Sequence, residues 1–286
     1  MPSISFGSTL HIEISAIVSA GHSYHQEMYE MPSYISFLPL KNNIWTLQDE
    51  ALLSSLPSSR RDYVNSYLFD ADKRLSLYSA LLLSHMLETH FGIADGLQDI
   101  HWVRGEKPFL SSFPDIDFNF SHTRNAILCG ISSEGKIGVD IERCENAPFD
   151  IMPTVFHPEE IRYIDNTLSK KISVSIRSTS PGRTPASVGS IPLQKNTIPM
   201  EHNPAAERER AFFELWTRKE AYTKTTGTGL LCDLTSTNTL TVPDVSFVKW
   251  EPAPYICTVC LEKPHPVNFH TSAEEIFQNL PDLTFE

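Results

Sequence analysis

Basic residues are scarce in this chain: 23 lysines and arginines stand against 35 aspartates and glutamates, for a formal net charge of -12 over 286 residues. A nucleic-acid binder normally carries a basic footprint, so that class of partner is not expected. Cysteine is also sparse. The five residues, an odd number, lie scattered at 129, 144, 232, 257 and 260 and do not form a disulfide framework. Cys257-Thr258-Val259-Cys260 has a redox or zinc spacing, but no second pair completes a zinc site. The run Tyr255–Leu261 reads instead as a buried strand, in which an unpaired cysteine behaves as a small hydrophobe. Long apolar runs are missing as well. No stretch reaches the roughly eighteen apolar residues of a membrane span, and Thr9–Ala20 is broken by His11 and Glu13 with no basic region ahead of it. Neither a membrane span nor a secretory signal is expected, and the default location is cytoplasmic.

What is present is enough for a sizeable core, since 41% of the residues are hydrophobic and the length allows one large domain or two ordinary ones. Residues up to about Glu30 show no clear element and read as an N-terminal arm. Ala71–His90 reads as a helix, with Leu68, Ala71, Leu75, Tyr78, Leu82 and Met86 forming an apolar stripe and Arg74 beside it. Phe118–Phe120 and Ala126–Ile131 read as strands, and a helix is predicted around Pro158–Leu168. A long helix starts near Ala206, followed by strands over Thr235–Thr241, Val245–Trp250 and Tyr255–Leu261. Between the last two helices, Ser169–Asn203 is rich in serine, threonine and proline, with no aromatics and no sustained periodicity. Such a segment cannot bury enough apolar surface to offset its ordering entropy, so a disordered insertion is predicted. Its length costs little, because loop-closure entropy grows only logarithmically.

The chemistry concentrates in two short segments. In Ile137-Gly138-Val139-Asp140-Ile141-Glu142 a period of two sends the apolar residues to one face and both carboxylates to the other. Asp140 and Glu142 then stand roughly 6 to 7 Å apart at the backbone. In Ala211–Thr226 good helix formers run without proline to a Gly227-Thr228-Gly229 stop. Glu220 and Lys224 share one face of that helix, about one turn apart. A hard cation takes oxygen ligands, so two strand carboxylates and one helix carboxylate could hold Mg²⁺ beside a diphosphate, with the lysine where phosphate charge accumulates. The bland alternatives are a solvated Asp-x-Glu on an edge strand and an ordinary surface pair contributing a few tenths of a kcal/mol.

Gly138-Val139-Asp140-Ile141-Glu142 and Trp216-Thr217-Arg218-Lys219-Glu220-Ala221-Tyr222-Thr223-Lys224 resemble the paired signatures of the Sfp-type 4'-phosphopantetheinyl transferases. Lys107-Pro108-Phe109-Leu110 is similar to that family's Gly-Lys-Pro loop, and Phe118-Asn119-Phe120-Ser121-His122-Thr123 to its Phe-Asn-x-Ser-His segment. The four occur in family order between about Arg104 and Leu230. Two departures stand out. Glu106 occupies the place of the family glycine before Lys-Pro, and the stretch Leu168–Arg208 has no counterpart in compact members.

The resemblance implies an α+β fold, a pseudodimer of two similar halves at 31–133 and 134–286 with the active site in the cleft between them. No sequence repeat relates the halves, so the duplication is carried by the resemblance alone. It further implies a monomer that moves the 4'-phosphopantetheine arm of coenzyme A onto a serine of an apo acyl or peptidyl carrier protein, with Mg²⁺ as cofactor. Asp140, Glu142 and Glu220 would hold the metal, Glu220 and Lys224 would be catalytic, and Lys224 would also contact coenzyme A. Lys107, Pro108, Ser121 and His122 would bind coenzyme A, joined by Arg74 and, less directly, Arg60, for which an exposed position on an amphipathic helix is the better expectation. A net negative charge does not oppose an anionic donor, because screening over about 8 Å lets a few local cations dominate a pocket. Two other readings use the same residues: a Mg²⁺-dependent nucleotide phosphohydrolase and a non-catalytic carrier-binding relative.

Overall fold

The computed structural model describes residues 31–101, 107–169, 203–229 and 233–277. The N-terminal arm, Glu106 and nearly all of the predicted insertion lie outside the described residues. The elements run β1 (Ser33–Pro39), α1 (Leu47–Ser54), α2 (Ser58–Asn65), α3 (Asp70–Phe91), α4 (Gly96–Asp99), β2 (Ile100–His101), β3 (Phe109–Leu110), β4 (Asp117–Thr123), β5 (Ala126–Ser132) and β6 (Ile137–Arg143). They continue through a 3-10 turn (Phe149–Ile151), α5 (Met152–Val155), α6 (Pro158–Ser169), α7 (Pro204–Thr226), β7 (Ser246–Trp250), β8 (Tyr255–Leu261), β9 (Val267–Thr271) and a last 3-10 turn (Glu274–Phe277).

Two sheets form the centre, one in the order β4-β5-β1-β9 and the other β6-β8-β7, with β2 and β3 as a separate small pair. Strand alternation explains how they stack. On β5 every residue is buried, because Ile127, Cys129 and Ile131 join the core under α3 while Ala126 and Leu128 join the core between the sheets. The intersheet core is completed by Ile35 and Phe37 of β1, by Ile137, Val139 and Ile141 of β6, and by Cys257, Val259 and Leu261 of β8. Cys257 therefore faces the intersheet core, and Cys260, three residues on, points to the other side, so this pair cannot share a ligand. A third core joins α7 to α6 through Phe212, Leu215, Phe156 and Ile164. The result is four layers, helix, sheet, sheet and helix, with mixed α+β content.

The helices are bounded by local chemistry. Thr46 and Asp49 form a reciprocal capping box on α1. Asn203 caps α7 ahead of Pro204, while Gly92 and Gly227 end α3 and α7 in the left-handed conformation that glycine adopts at least cost. Against expectation, Thr235–Thr241 is not a strand but consecutive turns. The Asp233 side chain accepts from the Thr235 amide and Asn238 from the Leu240 amide, so local polar side chains win the backbone groups that a strand would need.

β9 returns after β8 to pair parallel with β1, aligning Ser33 with Val267 and Phe37 with Thr271. The following turn buries Phe277 against Tyr78 in the α3 core and brings Glu274 to Arg74. None of the described helices is long and apolar enough to cross a membrane.

Closest packing occurs where α7 crosses β6. A β-carbon at Gly138 would overlap the Ala221 carbonyl and the Thr225 hydroxyl and lie 2.7 Å from the Thr225 amide nitrogen. Gly138→Ala must therefore push the helix off the strand, with an expected loss of about 1–3 kcal/mol or more in urea denaturation. Phe277→Ala, which empties a core position, is expected to lose roughly 3–5 kcal/mol in the same assay. A loss below 1 kcal/mol at either site would contradict the packing described.

Candidate active site

The carboxylate face of β6 is not a solvated edge. It lies under α7, and Asp140 is only 4% exposed. Lys224, near the end of α7, reaches across to donate to Asp140 Oδ1 at 2.6 Å and to the Val139 carbonyl at 3.2 Å. From the neighbouring sheet, Ser121 of β4 donates to the same carboxylate oxygen at 2.8 Å. Thr123, two residues on, donates to Glu142 Oε2 at 3.1 Å, and the Trp216 indole N–H of α7 also hydrogen-bonds Glu142. Asp140 is thus tied both to β4 of the neighbouring sheet and to α7.

The electrostatics follow from crowding three carboxylates round one lysine. Burial, reinforced by the charge of Asp140, pushes the Glu142 carboxyl up to about 7. Burial and then Asp140 raise Glu220 also, with Lys224 opposing. The imidazole of His122 is lowered by desolvation and then by Lys224, while Asp72 at the start of α3 and Asp140 oppose that shift. His122, Asp72, Lys224 and Asp140 are therefore within electrostatic reach of one another.

Two buried oxygens in this cluster, Asp140 Oδ2 and Glu220 Oε1, have no hydrogen-bond partner. Leaving buried acceptors unmatched is costly, and their hard-oxygen chemistry together with excess negative charge fits a divalent cation such as Mg²⁺. Among the described residues, no three histidine, cysteine or acidic side chains are already closed round one point. The carboxylates converge without forming a finished cage.

The other nominated residues lie further off. Lys107 pairs with Asp117 and donates to the Ile137 carbonyl at 2.7 Å, at the start of β6 and about 10 Å along the strand from Asp140. Burial lowers its pKa, and Asp117 opposes the shift. Pro108 follows it directly before β3. Arg60 is buried rather than exposed, donating to the carbonyl and hydroxyl of Ser76 at 2.9 and 3.1 Å. Arg74, 2% exposed, binds Asp49 at 3.3 Å, Glu274 at 3.1 Å and the Asn42 side chain at 3.0 Å. Ser121, His122, Asp140, Glu142, Glu220 and Lys224 are brought together; Lys107, Arg60 and Arg74 are engaged in contacts elsewhere.

Trp216 and Thr123 were not singled out from the sequence, although both sit inside the segments that carry the resemblance. Asp117 and Asn119 were also overlooked. The signal was the polar alternation Asp117, Asn119, Ser121, Thr123 along one face of β4.

The profile of the 4'-phosphopantetheinyl transferase superfamily matches residues 193–273, which include all of α7. The 4'-phosphopantetheinyl transferase psf-1 of Bacillus pumilus is 25% identical over 246 residues, 80% of this chain and 89% of that protein. A 4'-phosphopantetheinyl transferase of Bacillus subtilis is 25% identical over 118 residues, and the match spans 50% of that protein's length. An L-aminoadipate-semialdehyde dehydrogenase-phosphopantetheinyl transferase of Eremothecium gossypii is 26% identical over 187 residues, 65% of this chain and 56% of that protein. The chain is thus similar to members of the 4'-phosphopantetheinyl transferase superfamily over most of its length.

The raised Glu142 carboxyl makes stability depend on pH. Its folded pKa of about 7 exceeds the ordinary value of 4.5, so the folded protein holds this proton more tightly than the unfolded chain. That contribution is fully present below about 4.5 and is lost as pH rises through 7. Without divalent cations, Glu142→Gln is expected to flatten the fall in urea stability across this window and to exceed wild type at higher pH. An unchanged slope would refute the assignment to Glu142.

Proposed function

We propose that this phosphopantetheinyl transferase moves the 4'-phosphopantetheine arm of coenzyme A to a serine hydroxyl of an apo acyl or peptidyl carrier protein, releasing 3',5'-ADP. The observation that carries this reading is the set Asp140, Glu142, Glu220 and Lys224, with two buried oxygens lacking partners, on the segments that match the family. Asp140, Glu142 and Glu220 would hold Mg²⁺, which when bound neutralises pyrophosphate charge and polarises the phosphorus under attack.

The protein's own groups do the rest. Glu220, its carboxyl raised by burial and by Asp140, accepts the serine proton as the serine oxygen bonds to the β-phosphorus and the bond to 3',5'-ADP breaks. Lys224, held by Asp140 and Val139, presents a fixed positive charge to the phosphates. Ser121 and His122 bind the nucleotide end of coenzyme A, with His122 kept near neutrality until a phosphate dianion stabilises its charged form. Lys107 with Pro108, Arg74 and Arg60 complete the donor site on this reading, the last two largely by shaping it.

The arrangement of α3 over one sheet and α7 over the other supports a pseudodimer of two similar α+β halves, 31–133 and 134–286, with the cleft along their seam. The protein acts as a monomer in the cytoplasm, and neither nucleic acid nor a membrane is a partner. The acceptor belongs to fatty-acid, polyketide, peptide-synthetase or aminoadipate-reductase assemblies.

Incubation with coenzyme A, Mg²⁺ and a panel of apo carriers should add one phosphopantetheine mass to a carrier serine. Release of 3',5'-ADP without an acceptor would favour hydrolysis instead, and carrier binding without turnover a non-catalytic role. Glu220→Gln keeps the side chain's shape but loses its charge and basicity, so transfer should fall by orders of magnitude while the protein stays folded. Near-normal turnover in that variant would overturn the site.

A further inference from the structure

We infer that Asn119 and Thr123 of β4 are positioning residues that set where the β6 carboxylates stand, an inference resting on the proposed site. Among the described residues, β6 pairs through its backbone with β8 on one side only. Its other edge faces β4, and the contacts there come from β4 side chains rather than from a backbone ladder. Asp117 Oδ2 accepts from the Ile137 amide at 2.7 Å, and Asn119 Oδ1 accepts from the Val139 amide at 2.9 Å. Further along the same face, Ser121 donates to Asp140 and Thr123 to Glu142.

The four contacts have one spacing. Asp117, Asn119, Ser121 and Thr123 share a face at every second position, and the two amides they satisfy are also two residues apart. A slip of one residue would set all four against the wrong groups and leave two amides unmatched. The two amide contacts fix the backbone of β6, which does not rotate, whereas Ser121 and Thr123 then orient carboxylates that do. Ser121 and Thr123 therefore face Asp140 and Glu142 in one register only. Thr123 lies beyond the reacting groups and touches Glu142 alone among them. The hydrogen bond that the Asn119 side chain makes is to the backbone, the Val139 amide.

Three variants test this: Asn119→Leu, which loses the acceptor at similar volume; Asn119→Asp, which keeps it; and Thr123→Val, which removes only the hydroxyl. The probe is Mn²⁺ alone, followed by its electron paramagnetic resonance signal, beside amide hydrogen exchange at Val139 and the kcat and KM for coenzyme A. Asn119→Leu should speed Val139 exchange and weaken Mn²⁺ binding roughly tenfold or more, and Thr123→Val should weaken Mn²⁺ binding comparably without changing Val139 exchange. Asn119→Asp should restore both readouts, and kcat should fall more than KM rises in the two weakened variants. If Asn119→Leu fails to fold, Thr123→Val decides, since it preserves shape at a partly exposed position.

Wild-type Mn²⁺ affinity in Thr123→Val, or in a folded Asn119→Leu with fast Val139 exchange, overturns the inference, as does a wild-type protein that binds no Mn²⁺. Wild type that binds Mn²⁺ but transfers nothing to any carrier would instead sink the proposed function, and the metal and exchange readouts would still judge the positioning role.

Discussion

The structure depends on the seam where two sheets meet without sharing a backbone ladder. Along it, polar side chains of β4 take the place of a neighbouring strand's carbonyls, satisfying amides of β6 that would otherwise be buried and unpaired. Directly beneath, Ile35, Phe37, Ala126 and Leu128 pack against Ile137, Val139 and Ile141. The apolar contact draws the sheets together with little directional preference, and the polar contact chooses one alignment. Because Asp140 and Glu142 are part of that alignment, the candidate site and the joint between the two sheets are the same object.

On the other face of β6, glycine sets how near α7 can come. With no side chain at Gly138, the helix backbone approaches closely enough for Lys224 to reach Asp140 and for Glu220 to lie within its field. Lys219, on the opposite side of α7, is buried in a 2.8 Å pair with Glu160 of α6 and donates to the Leu234 and Thr237 carbonyls. An isolated buried charge of this kind would be costly, but here the carboxylate also accepts from the His157 and Thr239 amides. Successive residues 219 and 220 thus divide the work of anchoring the helix and bringing a carboxylate near Asp140.

Much of this was legible in the order of residues. The alternation of Ile137–Glu142 and the uninterrupted helical run to Gly227 located both elements of the site, because periodicity reports which face is buried. It could not report what covers the other face, so Asp140 read equally well as a solvated carboxylate. Arg60 and Arg74 show the same gap: their partners Ser76, Asp49 and Glu274 include a residue 200 positions away. Thr235–Thr241 failed for a different reason. Its β-branched residues favour a strand, but Asp233, Asn238 and Lys219 capture the backbone groups first.

The crossing of β9 to β1 has a consequence for the order of synthesis. A ribosome delivers β1, β4, β5 and α3 long before residues 267–277, so the first sheet waits with β1 as an open edge while β6 to β8 and the helices between them are translated. An unpaired edge that is apolar on both faces is a template for wrong partners. Nascent chains stalled before Val267 should therefore be the species that a chaperone meets, and the last short strand is the one that closes the molecule.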